Sequence, residues 1–388
     1  MGQVIRIVLW DYTNYGAAWS KRCLKQNVEI IRTLRPDDPD QAEIILRGDW
    51  DFVLILEKDT REIFNEILNT IRAMNLPTDN IIFAQDTFSW LKNPAAIYSL
   101  LNPDKNNSVY RALNFFNHRQ WHNYNSCTVE GLSYVATSKD DYIIASMYVD
   151  NKNHAADEMK IFHELAKKYC NVDDSTGYFL DLGANIGTTG IYFTKKIAPN
   201  LKLLAFEPDA ENFKLLHVNL ILNDMYNKAI AVNYGLGETF DEMTMYRNLT
   251  NPGGNGLFES EQNKLTETIK IIPLDAFLAE YKIAAQEVKY IWIDTEGFEA
   301  QVLLGAKNLL MENAAPLFME FNPMMWSKSG CYEKMIALLK AAGYSHWIYI
   351  PTFKSGNDSL FPIDKLLEYR NSNYAVGSVG DIFLIKNA

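Results

Sequence analysis

The stretch YFLDLGANIGTTGIYFTKKIAPNLKLLAFEP, residues 178–208, decides the fold of this chain. It begins with an apolar run that ends in Asp181, continues into a turn that contains glycine, and then follows a helical pattern. A second apolar run comes next and ends on Glu207. A strand, a glycine turn, a helix and a second strand form half of the crevice that binds nucleotides in open α/β sheets.

The turn reads D-x-G-x-N-x-G, where a dinucleotide site has G-x-G-x-x-G. Gly183 and Gly187, on either side of Asn185, let the backbone approach a ligand, and Glu207 follows at the distance of an acid that binds a ribose diol. Asp181 ends the strand, where a carboxylate repels a diphosphate but suits a cationic ligand. S-adenosylmethionine has ammonium and sulfonium charges and no phosphate. The pattern therefore favours methyl transfer over redox chemistry.

The composition is that of a soluble globular protein, with 388 residues, 48% of them hydrophobic and 22% charged. The net charge of −11 argues against nucleic acid or an anionic membrane surface as the main partner, since both require clustered positive charge. No apolar run reaches the length of a membrane span, and the start of the chain lacks a signal-peptide core. The four cysteines are far apart and fit a reducing compartment, so we expect a cytoplasmic protein.

The N-terminal part alternates short apolar runs with helical segments, which predicts a smaller Rossmann-like α/β domain. The loop after its first strand keeps only Gly16 of the three glycines of a phosphate-binding loop, so a structural or regulatory role is favoured over dinucleotide binding. The predicted strands are Val4–Leu9, Val28–Thr33, Phe52–Leu56 and Ile81–Ala84, and the predicted helices are Ala17–Gln26 and Arg61–Met74.

A linker is predicted between this domain and the strand that ends in Asp181. Leu132–Ala136 and Tyr142–Tyr148 are expected to pair as a hairpin, and a helix is expected from about Asp157 to Lys168. We therefore divide the chain into a degenerate Rossmann-like domain, a hairpin and helix linker, and a C-terminal domain, at residues 1–127, 128–175 and 176–388.

The C-terminal domain is predicted to contain seven strands with helices between most of them, including Asp209–Leu222 and Gly297–Glu312. A Rossmann-like, mostly parallel sheet whose last two strands form an antiparallel edge is the layout of class I methyltransferases. An irregular, partly β insertion occupies residues 234–272, and its loop at 251–256 either closes over a substrate or forms an ordinary hairpin turn. The predicted strands are Tyr178–Leu182, Leu203–Phe206, Ala229–Asn233, Tyr290–Ile293, Pro316–Phe321, His346–Ile350 and Asp381–Lys386.

Five motifs of this domain occur in an order that resembles the FkbM-type methyltransferase family, over about residues 130–350. The family has the class I fold and depends on S-adenosylmethionine, and its members typically methylate hydroxyl groups of sugars or polyketides. The fourth motif has Thr295 where the family often has an apolar residue. The motifs are DLGANIG (181–187), FEPDAENFKLLHVNLILN (206–223), IPLDAFL (272–278), IDTEGFEAQVLLGA (293–306) and MEF (319–321).

The resemblance also assigns roles in cofactor binding. It implies that Glu207 binds the ribose hydroxyl groups of S-adenosylmethionine, although an acid before Pro208 could instead serve only as a charge at a helix start. The residues implied to line the methionine part of the cofactor are Asp181, Gly183, Asn185 and Gly187.

Carboxylates near the ends of the later strands are the candidate catalytic groups. Asp294 and Glu296 follow the strand YIWI, at the edge where open α/β sheets bind ligands, so both are expected to face cofactor and substrate. Asp294 could otherwise cap the next helix, and Glu296 and Glu299 could form a solvated first helical turn. Glu320 ends the apolar strand PLFMEF and is expected to act as a base, to bind a substrate hydroxyl, or to pair with a lysine.

The histidines are weaker candidates. His217 lies on a predicted helix and is expected to pack or to be exposed. His118 and His122 are four residues apart, but no third ligand is evident, so no metal is expected.

The leading hypothesis is an S-adenosylmethionine-dependent methyltransferase that methylates a hydroxyl group of a sugar or glycoconjugate, in a surface polysaccharide or a secondary metabolite. Asp294 is the first choice of base and Glu320 the second. The alternatives are transfer to a nitrogen, a non-catalytic nucleotide- or sugar-binding protein in polysaccharide assembly, and a dehydrogenase. The expected partner is a small-molecule or carbohydrate acceptor, without nucleic acid or membrane, and the oligomeric state is left open, a homodimer included.

Overall fold

The chain divides into two compact units, one formed by residues 1–123 with 148–150 and the other by residues 124–147 with 151–388. The bounds of the predicted domains stay a prediction. The computed structural model describes residues 5–11, 28–35, 38, 41–46, 48–50, 52–57, 81–85, 111, 123–137, 143–247, 254–258, 265–313, 315–374 and 379–386.

The first unit contains a parallel sheet of four strands in the order β2-β1-β3-β4. The four predicted strands are confirmed. The first strand, β1, lies inside the sheet and is apolar and buried on both faces, as parallel strands are. The two predicted helices and the loop at Gly16 lie outside the described residues. The elements are β1 Ile5–Asp11, β2 Val28–Leu34, α1 Gln41–Leu46, β3 Phe52–Glu57 and β4 Ile81–Gln85.

The second unit begins with a hairpin of β5 (Tyr124–Val129) and β6 (Leu132–Thr137). The predicted pairing of Leu132–Ala136 with Tyr142–Tyr148 is wrong, because residues 143–150 form helix α2 (Ile143–Asp150). The chain turns at Glu130 and Gly131, which both have positive φ, as a two-residue hairpin turn requires.

The central sheet of the second unit has eight strands in the order β16-β15-β17-β14-β13-β7-β8-β9. Five neighbouring strands, from β9 to β14, are parallel, and β17 is antiparallel to both β14 and β15. All seven predicted strands are present, and the predicted class I methyltransferase layout is confirmed. The strands are β7 Tyr178–Leu182, β8 Lys202–Phe206, β9 Ala229–Val232, β10 Gly235–Leu236, β11 Asp241–Arg247, β12 Leu265–Ile272, β13 Val288–Ile293, β14 Leu317–Phe321, β15 Tyr344–Tyr349, β16 Phe361–Pro362 and β17 Gly380–Lys386.

Helices cover the central sheet, and its strands bury apolar side chains on both faces. The predicted helix Gly297–Glu312 is divided into two. None of the helices in the described ranges combines the length and the apolar character that crossing a membrane requires. The remaining helices are α3 Ala156–Cys170, α4 Thr188–Tyr192, α5 Ala210–Leu222, α6 Leu274–Glu280, α7 Glu299–Leu304, α8 Lys307–Glu312, α9 Pro323–Ser329, α10 Tyr332–Ala341, α11 Ile350–Lys354 and α12 Lys365–Tyr374, with a π-helical turn at Phe193–Ile197 and a 3₁₀ turn at Ala285–Glu287.

Two asparagines of α5 join the hairpin to the central sheet. The Asn219 side-chain amide exchanges hydrogen bonds of 2.7 and 3.1 Å with the backbone of Val135, and Asn223 does the same with Ser133 at 2.9 and 2.7 Å. Each amide thereby satisfies a backbone donor and a backbone acceptor of strand β6. Asn219 also donates to the Ile186 carbonyl at 2.8 Å, which ties the glycine turn to the same helix.

The insertion forms a separate three-stranded sheet in the order β10-β12-β11. Strand β11 pairs with β12 in antiparallel orientation over the full length of β11, and Met245, Ile269 and Ile271 form a small apolar cluster. The predicted partly β insertion thus forms a sheet in the described residues, and it directly follows β9 in the chain.

Candidate active site

The central strands end in one row of residues, which we name the edge row. Backbone pairing places one buried apolar residue of each of the strands β8, β7, β13, β14 and β17 in a common register: Phe206, Leu182, Ile293, Met319 and Ile382. The next position on each strand, toward the edge where the parallel strands end, gives the edge row: Glu207, Gly183, Asp294, Glu320 and Asp381. Four of its five positions carry carboxyl groups, and the fifth is a glycine.

The glycine turn has no room for a side chain at Gly183 or Gly187. Gly183 has a φ of +94°, and a Cβ placed there would lie 1.7 Å from the backbone oxygen of Asp294. A Cβ at Gly187, where φ is +86°, would lie 2.5 Å from a methyl group of Leu216. Asn185 between them has a φ of 49°, a conformation that asparagine tolerates better than most residues. Both glycines are therefore required by backbone conformation and by close approach.

Asp181 accepts a hydrogen bond from the backbone of helix α4. Its side chain is fully buried, and its Oδ2 accepts a hydrogen bond of 2.9 Å from the Gly190 N–H. Oδ1 is buried and has no hydrogen-bond partner. Burial, and secondarily the nearby Asp294, raises the pKa of Asp181 to about 7. Its predicted contact with the cofactor stays a prediction, since Asp181 is not among the residues that line the neighbouring cavity.

Glu207 is fixed by two backbone donors. The Asn185 N–H donates to Oε2 at 2.7 Å, and the Asp209 N–H donates to Oε1 at 2.8 Å. Each carboxylate oxygen keeps a further lone pair for a ligand. The side chain is only 6% exposed, and burial raises its pKa to about 8.

A cavity of about 70 Å³ adjoins this edge of the sheet. Polar groups of the strand ends and apolar side chains of the insertion contribute to its walls. Among the predicted site residues, the lining includes Gly183, Asn185, Glu207, Asp294 and Glu296, whereas Asp181, Gly187 and Glu320 are not part of it. The lining residues outside the predicted set include Tyr234, Met245, Asn255, Ile269, Ile271 and Phe298.

Asp209 connects the insertion to helix α5. It caps the helix by accepting hydrogen bonds of 2.8 Å from the N–H groups of Glu211 and Asn212. The same carboxylate is 2.8 Å from the Arg247 guanidinium of β11 and accepts a bond of 3.1 Å from the Asn255 amide. The sequence analysis missed this link. An acid after a strand and before a helix indicates a cap, but nothing local predicts its partner in β11.

Asp294 and Glu296 both line the cavity. The Asp294 side chain is surrounded by protein yet open to solvent through the cavity, and burial together with Glu299 raises its pKa to about 6. Glu296 has a φ of 52°, which is unusual for glutamate, and burial together with Asp294 and Glu299 raises its pKa to about 8. Positive φ at a residue other than glycine often marks a functional site.

Glu299 has a structural role. It is fully buried and accepts hydrogen bonds of 3.1 Å from the Thr295 N–H, the Thr295 hydroxyl and the Gly297 N–H. Its other oxygen accepts a bond of 3.0 Å from the Trp326 indole. Glu299 therefore fixes the turn that carries Asp294 and Glu296, and its side chain is fully used.

Glu320 and Asp381 extend the edge row beyond Asp294. Burial raises the pKa of Glu320 well above its usual range, and nearby acidic groups raise it further, with the largest effect from Asp294. Burial also raises the pKa of Asp381 to about 7. Oε2 of Glu320 is buried without a hydrogen-bond partner. Asp381 was missed by the sequence analysis, because an acid at the start of the strand DIFLIK has no local signal for its neighbours.

The histidines lie elsewhere. His217 packs edge-on against Phe213, with ring centroids 4.6 Å apart, as expected for a packing residue. His118 and His122 lie outside the described residues. Within the described residues, no three histidine, cysteine or acidic side chains are grouped so that they could hold a metal ion.

The strand order, the D-x-G-x-N-x-G turn and the acid that follows β8 together define a class I methyltransferase fold. Residues 181–345 match the model of the family described as the methyltransferase FkbM domain, which confirms the predicted resemblance over that part of the chain.

The chain is also similar to individual known proteins. The chain is 28% identical to methyltransferase sdnD of Sordaria araneosa over 199 residues, which are 44% of this chain and 74% of the relative. Among solved structures, it aligns with methyltransferase FkbM from Methylobacillus flagellatus KT at 15% identity and a TM-score of 0.31, over 87% of this chain and 84% of the other. It also aligns with an SAM-dependent O-methyltransferase from Thermotoga maritima at 10% identity and a TM-score of 0.33, over 68% and 78% of the two chains.

Proposed function

We propose that the protein is an S-adenosylmethionine-dependent O-methyltransferase that acts on a hydroxyl group of a carbohydrate or glycoconjugate. The observation that carries the proposal is that Glu207 and Asp294, which come from separate motifs, line a single cavity on either side of the Gly183 turn. One acid suits the binding of a ribose, and the other suits a base.

The residues present fit S-adenosylmethionine. Gly183 lines the cavity and has no side chain, so a ligand can approach its backbone. Glu207 is oriented by Asn185 and Asp209 so that its remaining lone pairs can accept from a ribose diol. The orphan oxygen of Asp181 and the net acidity of the row suit a cation. When bound, S-adenosylmethionine supplies an electrophilic methyl group.

The chemical task of the chain is then to position a hydroxyl group and to remove its proton. Asp294 is suited to this, because a pKa near 6 leaves it ionised at neutral pH and still basic enough to accept a proton. Glu320 is the second candidate, and burial raises its pKa well above its usual range. The carboxyl groups of the row also offer acceptors for the further hydroxyl groups of a sugar.

Two measurements on the full chain test the proposal. Isothermal titration should show saturable binding of S-adenosylmethionine, and radiolabelled methyl transfer to a panel of sugars, glycosides and amines should label hydroxyl groups, with the position assigned by NMR. Absence of S-adenosylmethionine binding would refute the proposal. Labelling of amines alone would retain the methyl donor but overturn the choice of oxygen as acceptor.

A further inference from the structure

Glu320 and Asp381 lie directly opposite each other on neighbouring antiparallel strands. Side chains in such pairs share one face of the sheet with Cβ atoms about 4.5–5.5 Å apart, where two like charges are destabilising. On the other side of β14, Ile293 of β13 pairs with Met319, so Asp294 is the neighbour of Glu320 there. Three carboxyl groups therefore stand side by side on β13, β14 and β17, and such an arrangement needs a compensating group.

Glu320 has a carboxyl oxygen that accepts no hydrogen bond. The Glu320 side chain is enclosed by the surrounding protein, and its Oε2 atom is buried without a hydrogen-bond partner. Buried polar atoms of folded proteins nearly always have a partner, and an exception in native structure calls for an explanation such as a missing ligand. An N–H donor of a ligand would satisfy this atom.

The described residues supply no basic side chain that pairs with the row. None of their ion pairs includes Asp294, Glu320 or Asp381. Lys354 acts on Asp381 at longer range, but its ammonium group donates to Glu158. The negative charge that the row carries when its carboxyl groups ionise is therefore left for a ligand to balance.

The positive groups of S-adenosylmethionine would lie too far away to balance it. Neighbouring strands are about 4.8 Å apart, so Glu320 lies about 10 Å and Asp381 about 14 Å along the row from Gly183, where the cofactor is proposed to bind. A divalent cation is also disfavoured, since the described residues hold no group of ligands suited to a metal ion. An ammonium group fits better, because it donates three hydrogen bonds and can satisfy separated acceptors.

We infer that the acceptor carries an ammonium group, which Glu320 and Asp381 bind, beside the hydroxyl group that faces Asp294. The inference rests on the proposed function and narrows its substrate class. Because Asp294 and Glu320 occupy adjoining positions of the row, the two groups of the acceptor must be close together. Amino sugars with an amine and a hydroxyl on neighbouring carbons meet this requirement.

The test uses the full chain saturated with S-adenosylhomocysteine. Glucosamine, galactosamine and mannosamine are titrated calorimetrically, each against its N-acetyl counterpart, which keeps the hydroxyl groups but has no charge. At least one amine is expected to bind about tenfold to a hundredfold more tightly than its counterpart, the range expected for a charged hydrogen bond. Asp381→Asn and Glu320→Gln should bring this ratio close to one while the S-adenosylhomocysteine affinity stays within about twofold. Asp364→Asn, an exposed acid paired with Lys340, is the matched control and should keep the ratio.

The outcomes separate this inference from the proposed function. If no amine binds more tightly than its N-acetyl counterpart, or if both edge-row variants keep the ratio, the inference is wrong, even where neutral sugars are methylated. A preference for amines that is lost in the variants, together with labelling of the nitrogen, would support the ammonium site and overturn the assignment to oxygen. If a variant does not fold, the comparison of ligands on the unmodified chain still decides.

Discussion

Asn185 and Glu207 belong to separate sequence motifs, and the structure joins them by a hydrogen bond of 2.7 Å from the Asn185 N–H to Oε2 of Glu207. The glycine turn and the acid at the end of the next strand are thus one unit. The bond fixes the carboxylate before any ligand arrives, which lowers the entropy cost of binding. It also means that a change at Glu207 affects the conformation of the turn.

Above pH 8, where the Glu207 carboxyl group is ionised, Glu207→Gln should weaken cofactor binding by about tenfold to a hundredfold, since hydrogen bonds to charged groups contribute about 1.5–3 kcal/mol. The amide can accept from only one of the two N–H groups that Glu207 satisfies, so the other is left facing an NH₂ donor. Titration with S-adenosylhomocysteine measures the loss. Glu312→Gln, an exposed acid of α8, is the control and should bind as the unmodified protein does. Equal affinities for Glu207→Gln and the control would refute the ribose-binding role.

Gly183→Ala should abolish cofactor binding and destabilise the fold. The new Cβ would lie 1.7 Å from the Asp294 backbone oxygen, and a backbone atom cannot move aside as a side chain can. Gly330→Ala is the matched control, because Gly330 also has positive φ, at +68°, but no atom lies within 4 Å of its Cβ position. The control should lose only the cost of the left-handed conformation, roughly 1–2 kcal/mol. Chemical denaturation of both variants, with titration, decides; equal losses would contradict the steric argument.

The fold was largely predictable because its signals are local. Strands β7, β8 and β13 end at the predicted residues Leu182, Phe206 and Ile293. The glycines of the turn at Gly183 predict that turn. The hairpin was assigned to the wrong partner because Glu130-Gly131 is not among the strong turn signals, and because the apolar run at residues 143–149 fits a strand as well as a helix.

The candidate site was only partly predictable, because its remaining parts depend on contacts between distant segments. Asp381 enters the edge row only through the pairing of β17 with β14, and the link of Asp209 to Arg247 spans the insertion. Neither relation has a counterpart in local sequence. Conversely, the apolar residues around Glu320 in β14 did indicate that its carboxyl group is buried and has a functional or structural role.

The stability of the free protein should fall as the pH rises from about 5.5 to 8.5. Burial raises the pKa of Asp181 and Asp381 to about 7, and that of Glu207 and Glu296 to about 8. In an unfolded chain these groups ionise near pH 4, so above that pH the folded protein binds more protons than the unfolded chain. The free energy of unfolding therefore decreases with pH until the folded-state pKa values are passed.

Thermal unfolding at constant ionic strength measures this slope. Asp181→Asn should flatten it, because the amide oxygen can still accept from the Gly190 N–H while the titrating group is gone. Asp364→Asn, at an exposed position, should leave the slope unchanged. Stability that rises over the same pH range would show that the buried carboxyl groups are ionised in the folded protein.

Asp294→Asn should lower methyl transfer by about 10²–10⁴, the usual contribution of a general base, while cofactor affinity stays within a few-fold. The amide keeps the size of the side chain, and the backbone bond from the Asp294 N–H to the Leu182 carbonyl is unaffected, so the turn should hold its shape. In the unmodified enzyme, the rate should rise with pH near 6 and then level off, because the carboxyl group must lose its proton before it can accept one. The variant should lose that inflection in single-turnover measurements. If Asp294→Asn instead abolished cofactor binding and left the turnover of bound enzyme intact, Asp294 would be a binding residue and Glu320 would take the role of base.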